Sequence, residues 1–356
     1  MAKRRDVLTC KKIMIDEVFI LGAGFSHSYC KDLMPLTDDL VNFVLFDHGN
    51  SEKSEFYRLT EFIKDFFSPD SEKVNFEKLA TFLLSNPFQS SGETVETYRE
   101  LYIGLLSLIA GIYGNPTIHQ KEDGFENRKI LEKFSKRIKE SKTPIISFNY
   151  DTIIEHFLLK DDDWDLATGY SLPVYDFLTN EKHNRDLRKN NTRLLKLHGS
   201  LNWGIPPEEI YNQTVEKIYL SKYQPDMPIH ENYISGYFNE PYKLYPFIIP
   251  PVSGKTYKSK IIRNLWHQAK YAIMTAKQIH IIGYSLPESD TLVEFLFRAG
   301  AGIPPEPNRK KIRVVAPSFT EIQKLRFEKV FQTEKHKHDI QFINLDAMEY
   351  LSTFEN

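Results

Sequence analysis

Cysteine is scarce in this sequence: Cys10 and Cys30 are the two that its 356 residues contain, and no C-x-x-C pair occurs. Two thiolates are too few for a structural zinc site with four cysteine ligands, so we expect no metal. Long apolar runs are also missing, since no stretch approaches the roughly 20 apolar residues that cross a bilayer. The basic residues Lys3, Arg4 and Arg5 are not followed by the apolar stretch of a signal peptide. We therefore expect a cytoplasmic protein without membrane association.

An excess of charge of one sign is absent as well. The chain has 46 lysine and arginine residues against 48 aspartate and glutamate residues, a formal net charge of -2. Such a balance provides no overall attraction to nucleic acids or anionic membranes, so we expect no direct nucleic-acid binding. The apolar fraction of 41% and the charged fraction of 26% are typical of a globular protein with one large domain or two.

Short apolar runs recur along the chain, and helical patterns separate most of them. The runs are residues 18–21, 144–148, 194–197, 279–282, 312–315 and 340–343. Runs of this length that end in glycine or polar residues are typical of buried parallel strands. Their alternation with helices predicts an α/β fold in which helices cover both faces of a doubly wound parallel sheet.

We predict one domain over residues 14–356, preceded by a polar arm at residues 1–13. Residues 49–141 show helical spacing of apolar residues and no strand pattern, and they are too many for one crossover connection. We interpret them as a helical insertion on the sheet. Residues 205–244 are loop-rich and interrupted by proline, which favours an excursion from the core. The core of the domain then consists of about residues 14–48, 142–204 and 245–356.

The first predicted strand runs directly into Gly22-Ala23-Gly24-Phe25-Ser26. In a turn from strand to helix, the first glycine permits a tight bend, and the second lets backbone N–H groups approach a pyrophosphate. The third glycine of a G-x-G-x-x-G fingerprint is replaced by His27, and no acidic residue follows a second strand at the spacing of NAD-dependent dehydrogenases. The segment by itself therefore fits either a dinucleotide-binding turn or an ordinary α/β turn.

Polar side chains follow two other predicted strands. Asn149 and Asp151 follow the second apolar run, and His198 follows the third. Ligands of open α/β sheets bind in the crevice beyond the carboxyl ends of the strands, so these side chains are candidates for a polar site. Other roles stay open: His198 as a core histidine that satisfies a strand end, and Asp151 and Asp290 as helix caps.

In this order the motifs resemble the sirtuin superfamily, and more narrowly the sirtuin-like NADases of prokaryotic antiphage defence. The segments that carry the resemblance are Gly22-Ala23-Gly24-Phe25-Ser26, Asn149-Tyr150-Asp151, Leu197-His198-Gly199-Ser200 and Gly283-Tyr284-Ser285-Leu286-Pro287 with Asp290. The resemblance extends from about Val18 to Ser318 and so covers the sheet and its loops. It implies a Rossmann-like fold with a helical insertion and without the zinc module of sirtuin deacylases.

The resemblance implies that the catalytic residues are Asn149 and His198. Asn149 and Asp151 would line the nicotinamide side of an NAD site, and His198 would be the base near the nicotinamide ribose. NAD+ would be the substrate, and no metal would take part.

The other implied residues bind the rest of the dinucleotide. The pyrophosphate and the nearby ribose would be held by Gly22, Ala23, Gly24, Phe25 and Ser26. Gly283 and Ser285 would hold the adenosine half, while Asp290 would support that loop. One departure concerns the last strand tip, where Ala316 replaces the asparagine that commonly binds the adenosine ribose.

The function implied by the resemblance is an NAD+ glycohydrolase that yields nicotinamide and ADP-ribose, as the NAD-depleting effector of a bacterial antiphage defence system. Such an enzyme must be silent until it is needed, and the family implies control by homo-oligomerisation or by a partner such as a HerA-type ATPase. One alternative is an NAD-dependent protein deacylase or ADP-ribosyltransferase, although the missing C-x-x-C pairs argue against deacylation. Another is a sensor that binds NAD or ADP-ribose without cleaving it.

Overall fold

The structure, a computed structural model, describes residues 14–30, 34, 57–66, 76–85, 92–114, 125–177, 179–184, 186, 189, 192–212, 215–221, 226–229, 234–235, 242–249, 259–288, 290–301, 309–332 and 337–355. The predicted arm at residues 1–13 and Cys10 lie outside these residues. None of the helices in the described ranges combines the length and the apolar character that crossing a membrane requires.

Six parallel strands form the central sheet, and all strands are numbered along the chain. The six are β1 (Ile15–Leu21), β2 (Ile145–Ser147), β4 (Leu194–Lys196), β10 (Ala276–Ile282), β11 (Lys311–Ala316) and β12 (Asp339–Asn344). Their order across the sheet is β12-β11-β10-β1-β2-β4, and every neighbouring pair is parallel. The predicted doubly wound parallel sheet is confirmed.

The central strand β1 is buried on both faces, and its sequence reflects this. Val18, Phe19, Ile20 and Leu21 are each at most 1% exposed. A strand that is covered on both faces has apolar residues at consecutive positions rather than at every second position. The run therefore indicated a strand in the middle of the sheet rather than one with a solvated face.

Among the described residues, a helix comes directly before or after every strand of the central sheet except β4, which stands between β3 and β5 in the chain. The helices are α1 (Ala23–Tyr29), α2 (Tyr57–Phe66), α3 (Phe76–Ser85), α4 (Gly92–Tyr113), α5 (Phe125–Ser141), α6 (Ile153–Leu159), α7 (Leu166–Gly169), α8 (Pro207–Asn212), α9 (Lys260–Thr275), α10 (Thr291–Ala301), α11 (Glu321–Phe331) and α12 (Ala347–Ser352), with a 3-10 turn at Thr353–Glu355. The helices α2 to α5 lie within residues 49–141, where the helical insertion was predicted. No helix was predicted after the last strand, although Asp346 and Glu349 form a capping box at the start of α12.

The chain also forms a second, smaller sheet, which was not predicted from the sequence. It contains β3 (Val174–Asp176), β5 (Gly199–Ile205), β6 (Ile218–Leu220) and β9 (Tyr245–Ile248), in the order β3-β6-β5-β9. β5 is antiparallel to β6 and β9. The loop-rich segment 205–244 thus contains β6 and also the pair β7 (Ile234–Ser235) and β8 (Tyr242–Lys243). Strands of two or three residues are too short to show a period.

The chain passes from one sheet to the other through two residues, Leu197 and His198. β4 ends at Lys196 and β5 begins at Gly199, which has a φ of 81°. A Cβ at Gly199 would lie 2.0 Å from the carbonyl oxygen of Phe247 in β9. Only glycine fits both the left-handed backbone and this close approach, so Gly199 determines the path that positions His198.

We expect Gly199→Ala to lower the free energy of unfolding by about 2–3 kcal/mol, because a left-handed non-glycine residue is strained and the new Cβ meets backbone. The matched control is Gly104→Ala in α4, where a Cβ would meet nothing within 4 Å. Its helix propensity should raise stability by about 0.5–1 kcal/mol. Urea unfolding followed by circular dichroism measures both variants. If Gly199→Ala had the same free energy of unfolding as the wild type, β9 would not constrain position 199.

Candidate functional site

The strands β1, β2, β4 and β10 end at the same edge of the central sheet. Leu21 is in register with Ile282 and with Ser147, and Ser147 is in register with Lys196. The segments predicted to form the site follow directly after these residues. The chain continues from β1 toward β2 and from β10 toward β11, on opposite sides, so the edge between β1 and β10 is a switch point of the kind where ligands bind.

The two glycine-containing loops after β1 and β10 contact each other directly. Gly22 N donates to the Ile282 carbonyl oxygen at 3.0 Å, and Gly24 N donates to the Gly283 carbonyl oxygen at 2.8 Å. A Cβ at Gly22 would lie 2.6 Å from the Tyr284 Cβ, and a Cβ at Gly24 would lie 2.8 Å from the Gly283 Cα. Larger residues would separate the loops, so the glycines are needed to join the two predicted halves of the site.

The predicted binding residues of these loops differ in exposure. Three of them are buried, namely Gly22, Phe25 and Ser26. The others are half-buried or exposed, namely Ala23, Gly24, Gly283 and Ser285. The Phe25 side chain is 1% exposed and belongs to the hydrophobic core. A ligand in the crevice can therefore reach the backbone around Ala23 and Gly24 but not the Phe25 ring.

Asn149 is buried at the end of β2 and is held by the loop after β1. Its Nδ2 donates to the Gly22 carbonyl oxygen at 2.9 Å and to Ser26 Oγ at 2.8 Å. Ser26 Oγ in turn donates to Asp151 Oδ2 at 2.5 Å. Because both hydrogens of the amide are used in this way, the oxygen of the Asn149 side chain is the atom that can accept a hydrogen bond from a ligand.

Asp151 makes one hydrogen bond to α6 and one to the loop after β1. Its Oδ1 accepts from Ile153 N, the first residue of α6, at 3.1 Å, and its Oδ2 accepts from Ser26 Oγ. The N-cap of α6 is Thr152, so Asp151 lies one residue before the cap position. Asp151 is also close enough to Tyr113 of α4 for its charge to add to the effect of burial, which raises the pKa of the Tyr113 phenol above its ordinary value. Tyr113 is the last residue of α4, which lies in the segment predicted to be a helical insertion.

His198 is 4% exposed and lies among aromatic side chains in the connection between the two sheets. Its ring centroid is 5.2 Å from that of Phe148 and 6.3 Å from that of Trp266. Its Nε2 lies 3.7 Å from Asp290 Oδ2, which accepts a hydrogen bond from Tyr284 OH at 2.7 Å. Asp290 therefore links the predicted base to the loop after β10.

Two buried charged residues near the site were given no role from the sequence. Lys196 and Glu155 are both 0% exposed, and Lys196 Nζ lies 2.9 Å from Glu155 Oε1. Burial raises the pKa of Glu155 above its ordinary value, against the opposing effect of the Lys196 charge. The sequence signal for this ion pair is the lysine within the apolar strand run from Leu194 to Leu197. A charge buried in such a strand needs a partner of opposite sign.

The acidic run at residues 161–163 is paired with lysines. Lys139 Nζ lies 2.8 Å from Asp161 Oδ2 and 2.7 Å from Asp163 Oδ1, and Lys189 Nζ lies 2.6 Å from Asp162 Oδ1. Within the part of the chain that the structure describes, no group of three or more histidine, cysteine, aspartate or glutamate residues could hold a metal ion. These aspartates serve as surface partners of lysines.

Comparison with known families agrees with the resemblance seen in the motifs. A family model described as a SIR2-like domain matches residues 143–338, more than half of the chain. The match includes Asn149, His198 and Asp290, while the Gly22 loop precedes it. No curated protein matches the chain. SIR2-like domains bind NAD. The chain therefore belongs to the family of proteins with a SIR2-like domain, and its function is related to NAD.

Proposed function

We propose that this protein is an NAD+ glycohydrolase that cleaves NAD+ to nicotinamide and ADP-ribose. The observation that carries the proposal is the position of Asn149 and His198, buried at the ends of the neighbouring strands β2 and β4. The loops after β1 and β10 meet at the same edge of the sheet. Membership of a family that binds NAD supports this dinucleotide as the substrate.

The reaction breaks the bond between the nicotinamide nitrogen and C1′ of the ribose. The electron pair goes to the pyridinium nitrogen, so nicotinamide leaves as a neutral molecule and needs no acid. The ribose acquires oxocarbenium character, and a water molecule attacks C1′ and loses one proton. The site must therefore hold the dinucleotide, stabilise a cation and accept a proton.

His198 is the proposed proton acceptor, either from the attacking water or from a ribose hydroxyl. General-base catalysis of this kind contributes about 10²- to 10⁴-fold to the rate. The Asp290 carboxylate, 3.7 Å from His198 Nε2, would stabilise the imidazolium that forms. Tyr284 holds this carboxylate through its hydroxyl, so the orientation of Asp290 does not depend on the substrate.

Asn149 is proposed to orient the attacking water or the carboxamide of nicotinamide through its side-chain oxygen. The bonds from its Nδ2 to Gly22 and Ser26 fix the amide before the substrate binds. The Ser26 hydroxyl is engaged with Asn149 and Asp151, so the proposal assigns it to the support of Asn149. The negative charge of Asp151 favours the developing ribosyl cation.

The remaining predicted contacts complete the proposal. Backbone atoms of the loop after β1 would hold the pyrophosphate, and Gly283 and Ser285 would hold the adenosine half. Ala316, at the end of β11, is half-buried, and Ser318 beyond it is exposed. Ser318 therefore offers a hydroxyl near the strand tip where the family that this chain resembles commonly has an asparagine for the adenosine ribose.

The test is incubation of the purified protein with NAD+ alone, with the products separated by chromatography. Nicotinamide and ADP-ribose, linear or cyclic, are expected without any acceptor. Consumption of NAD+ only after addition of an acylated peptide or another acceptor would identify a deacylase or an ADP-ribosyltransferase instead. Stoichiometric binding with intact NAD+ recovered under every condition would identify a sensor. Either result would refute the hydrolase.

We extend the proposal to the role of an NAD-depleting effector in bacterial antiphage defence, on the basis of the motif resemblance. Because unregulated hydrolysis would harm the host, the proposal includes control by homo-oligomerisation or by a partner such as a HerA-type ATPase. Hydrolysis should be measured for the protein alone and with the products of neighbouring genes, with molar mass followed by light scattering. A rate per chain that is independent of concentration and partner would contradict such control.

A further inference from the structure

A fully buried ion pair lies beneath the loop that carries Asn149 and Asp151. It is formed by Lys196, the last residue of β4, and Glu155 in α6. Removal of two charges from water is costly, and a well-packed apolar pair in the same place is often at least as stable. Stability alone therefore gives no reason for charges at this position, and their other contacts have to be considered.

Lys196 holds the backbone of the loop as well as Glu155. Its Nζ donates to the carbonyl oxygen of Asp151 and, at 3.5 Å, to that of Tyr150. The Tyr150 carbonyl oxygen also accepts from Leu201 N of β5 at 2.9 Å. The ammonium thus connects the loop after β2 to the end of β4. The hydrogen bond from Leu201 connects the same loop to β5.

Glu155 also accepts a hydrogen bond from Tyr170, which Asn202 holds in turn. Tyr170 OH donates to Glu155 Oε1 at 3.1 Å and accepts from Asn202 Nδ2 at 2.9 Å. Asn202 and Tyr170 are both 0% exposed. A continuous buried network therefore runs from β5 through Tyr170 and Glu155 to Lys196, and its end is the backbone of the loop.

We propose that Lys196 and Glu155 are positioning residues for the NAD+ cleavage proposed above, on which this inference rests. The pair holds the carbonyl groups of Tyr150 and Asp151 and so fixes the backbone that carries the Asn149 amide. His198 follows Lys196 by two residues in the chain. The same buried ammonium therefore fixes the backbone of the Asn149 loop and the end of β4, from which the chain continues to His198, without touching the substrate.

The main test is the double variant Lys196→Met/Glu155→Leu, which removes both charges and keeps apolar volume in their place. We expect kcat to fall about 10²-fold while KM changes less than about threefold, as a displacement of catalytic groups by about 1 Å would cause. The matched control is Lys310→Met. Lys310 is also a buried lysine that donates to backbone carbonyl groups, those of Met274 and Ala276, but at the opposite end of β10. Its kcat should be unchanged.

A second variant and a second readout cover the case in which the double variant does not fold. Glu155→Gln keeps the shape of the side chain and should lower kcat about tenfold, with KM nearly unchanged. The side-chain amide resonance of Asn149, in ¹⁵N-TROSY spectra of the labelled protein, should shift in both variants and not in Lys310→Met. An unchanged resonance, or an unchanged kcat, in a folded variant overturns the proposal.

The two readouts also separate this inference from the proposed function. If the wild-type protein does not cleave NAD+ under any condition, the hydrolase proposal fails. The Asn149 resonance still reports whether Lys196 and Glu155 position the loop. An unchanged resonance would then overturn the positioning role as well.

Discussion

His198→Ala is expected to lower kcat for NAD+ cleavage by about 10²- to 10⁴-fold, the usual contribution of a general base. KM should change little, because the contacts proposed to bind the dinucleotide lie in the loops after β1 and β10. Steady-state rates of nicotinamide release, measured by chromatography, give both constants. Circular dichroism and a thermal unfolding curve establish that the variant is folded.

The matched control is His338→Ala. His338 is buried to a similar degree, at 8% exposure against 4% for His198. Its Nδ1 accepts from Lys310 N at 3.2 Å and its Nε2 lies 3.1 Å from the Ala301 carbonyl oxygen, away from the proposed site. The control should lose stability and keep its kcat. If His198→Ala instead lost stability and kept its kcat, His198 would be a core histidine, the alternative left open by the sequence.

Asn149→Ala is expected to lower kcat by about 10²- to 10³-fold, as the loss of one preorganised polar group in a buried site does. The change removes the side-chain oxygen proposed to orient water or the carboxamide. It also leaves the Gly22 carbonyl oxygen and Ser26 Oγ without the donor that holds them. Rates and NAD+ affinity, the latter by calorimetry, separate a loss of orientation from a loss of binding.

Asn127→Ala is the matched control for this second variant. Asn127 Nδ2 also donates to backbone carbonyl groups near α1, those of Ser28 at 3.4 Å and Tyr29 at 3.3 Å, but at the other end of the helix. Its removal should leave kcat unchanged. Equal rates for Asn149→Ala and the wild type would remove Asn149 from the proposed mechanism. An equal loss in both variants would point to a general effect of loosening α1.

The edge at which the site lies could be predicted because parallel strands leave a strong local signal. The apolar runs before Asn149 and His198 indicated strands buried on both faces, and β2 and β4 are such strands. Residues that follow parallel neighbours must share an edge. The proximity of Asn149 and His198 to one edge therefore followed from the sequence, whereas their catalytic roles stay predictions.

The contacts within the site could not be predicted in the same way. The hydrogen bond from Ser26 to Asp151 joins residues 125 positions apart, and no local pattern records it. The same is true of the close approach of Gly24 to Gly283, which depends on how two loops pack. The small sheet was missed because β3 and β6 have three residues each. Its longest strand, β5, also contains an irregularity between Ser200 and Gly204.

β1 is the first strand of the sheet to leave the ribosome, and its two neighbours are β2 and β10. β10 begins at Ala276, so about 250 residues must be added after β1 before both neighbours exist, which takes roughly 13–50 s at about 5–20 residues per second. Until then the loop at Gly24 lacks its contact with Gly283, and His198 lacks Asp290. A nascent or prematurely terminated chain that ends before Gly283 and Asp290 lacks both contacts, so the proposed cleavage of NAD+ should be confined to chains that extend beyond them.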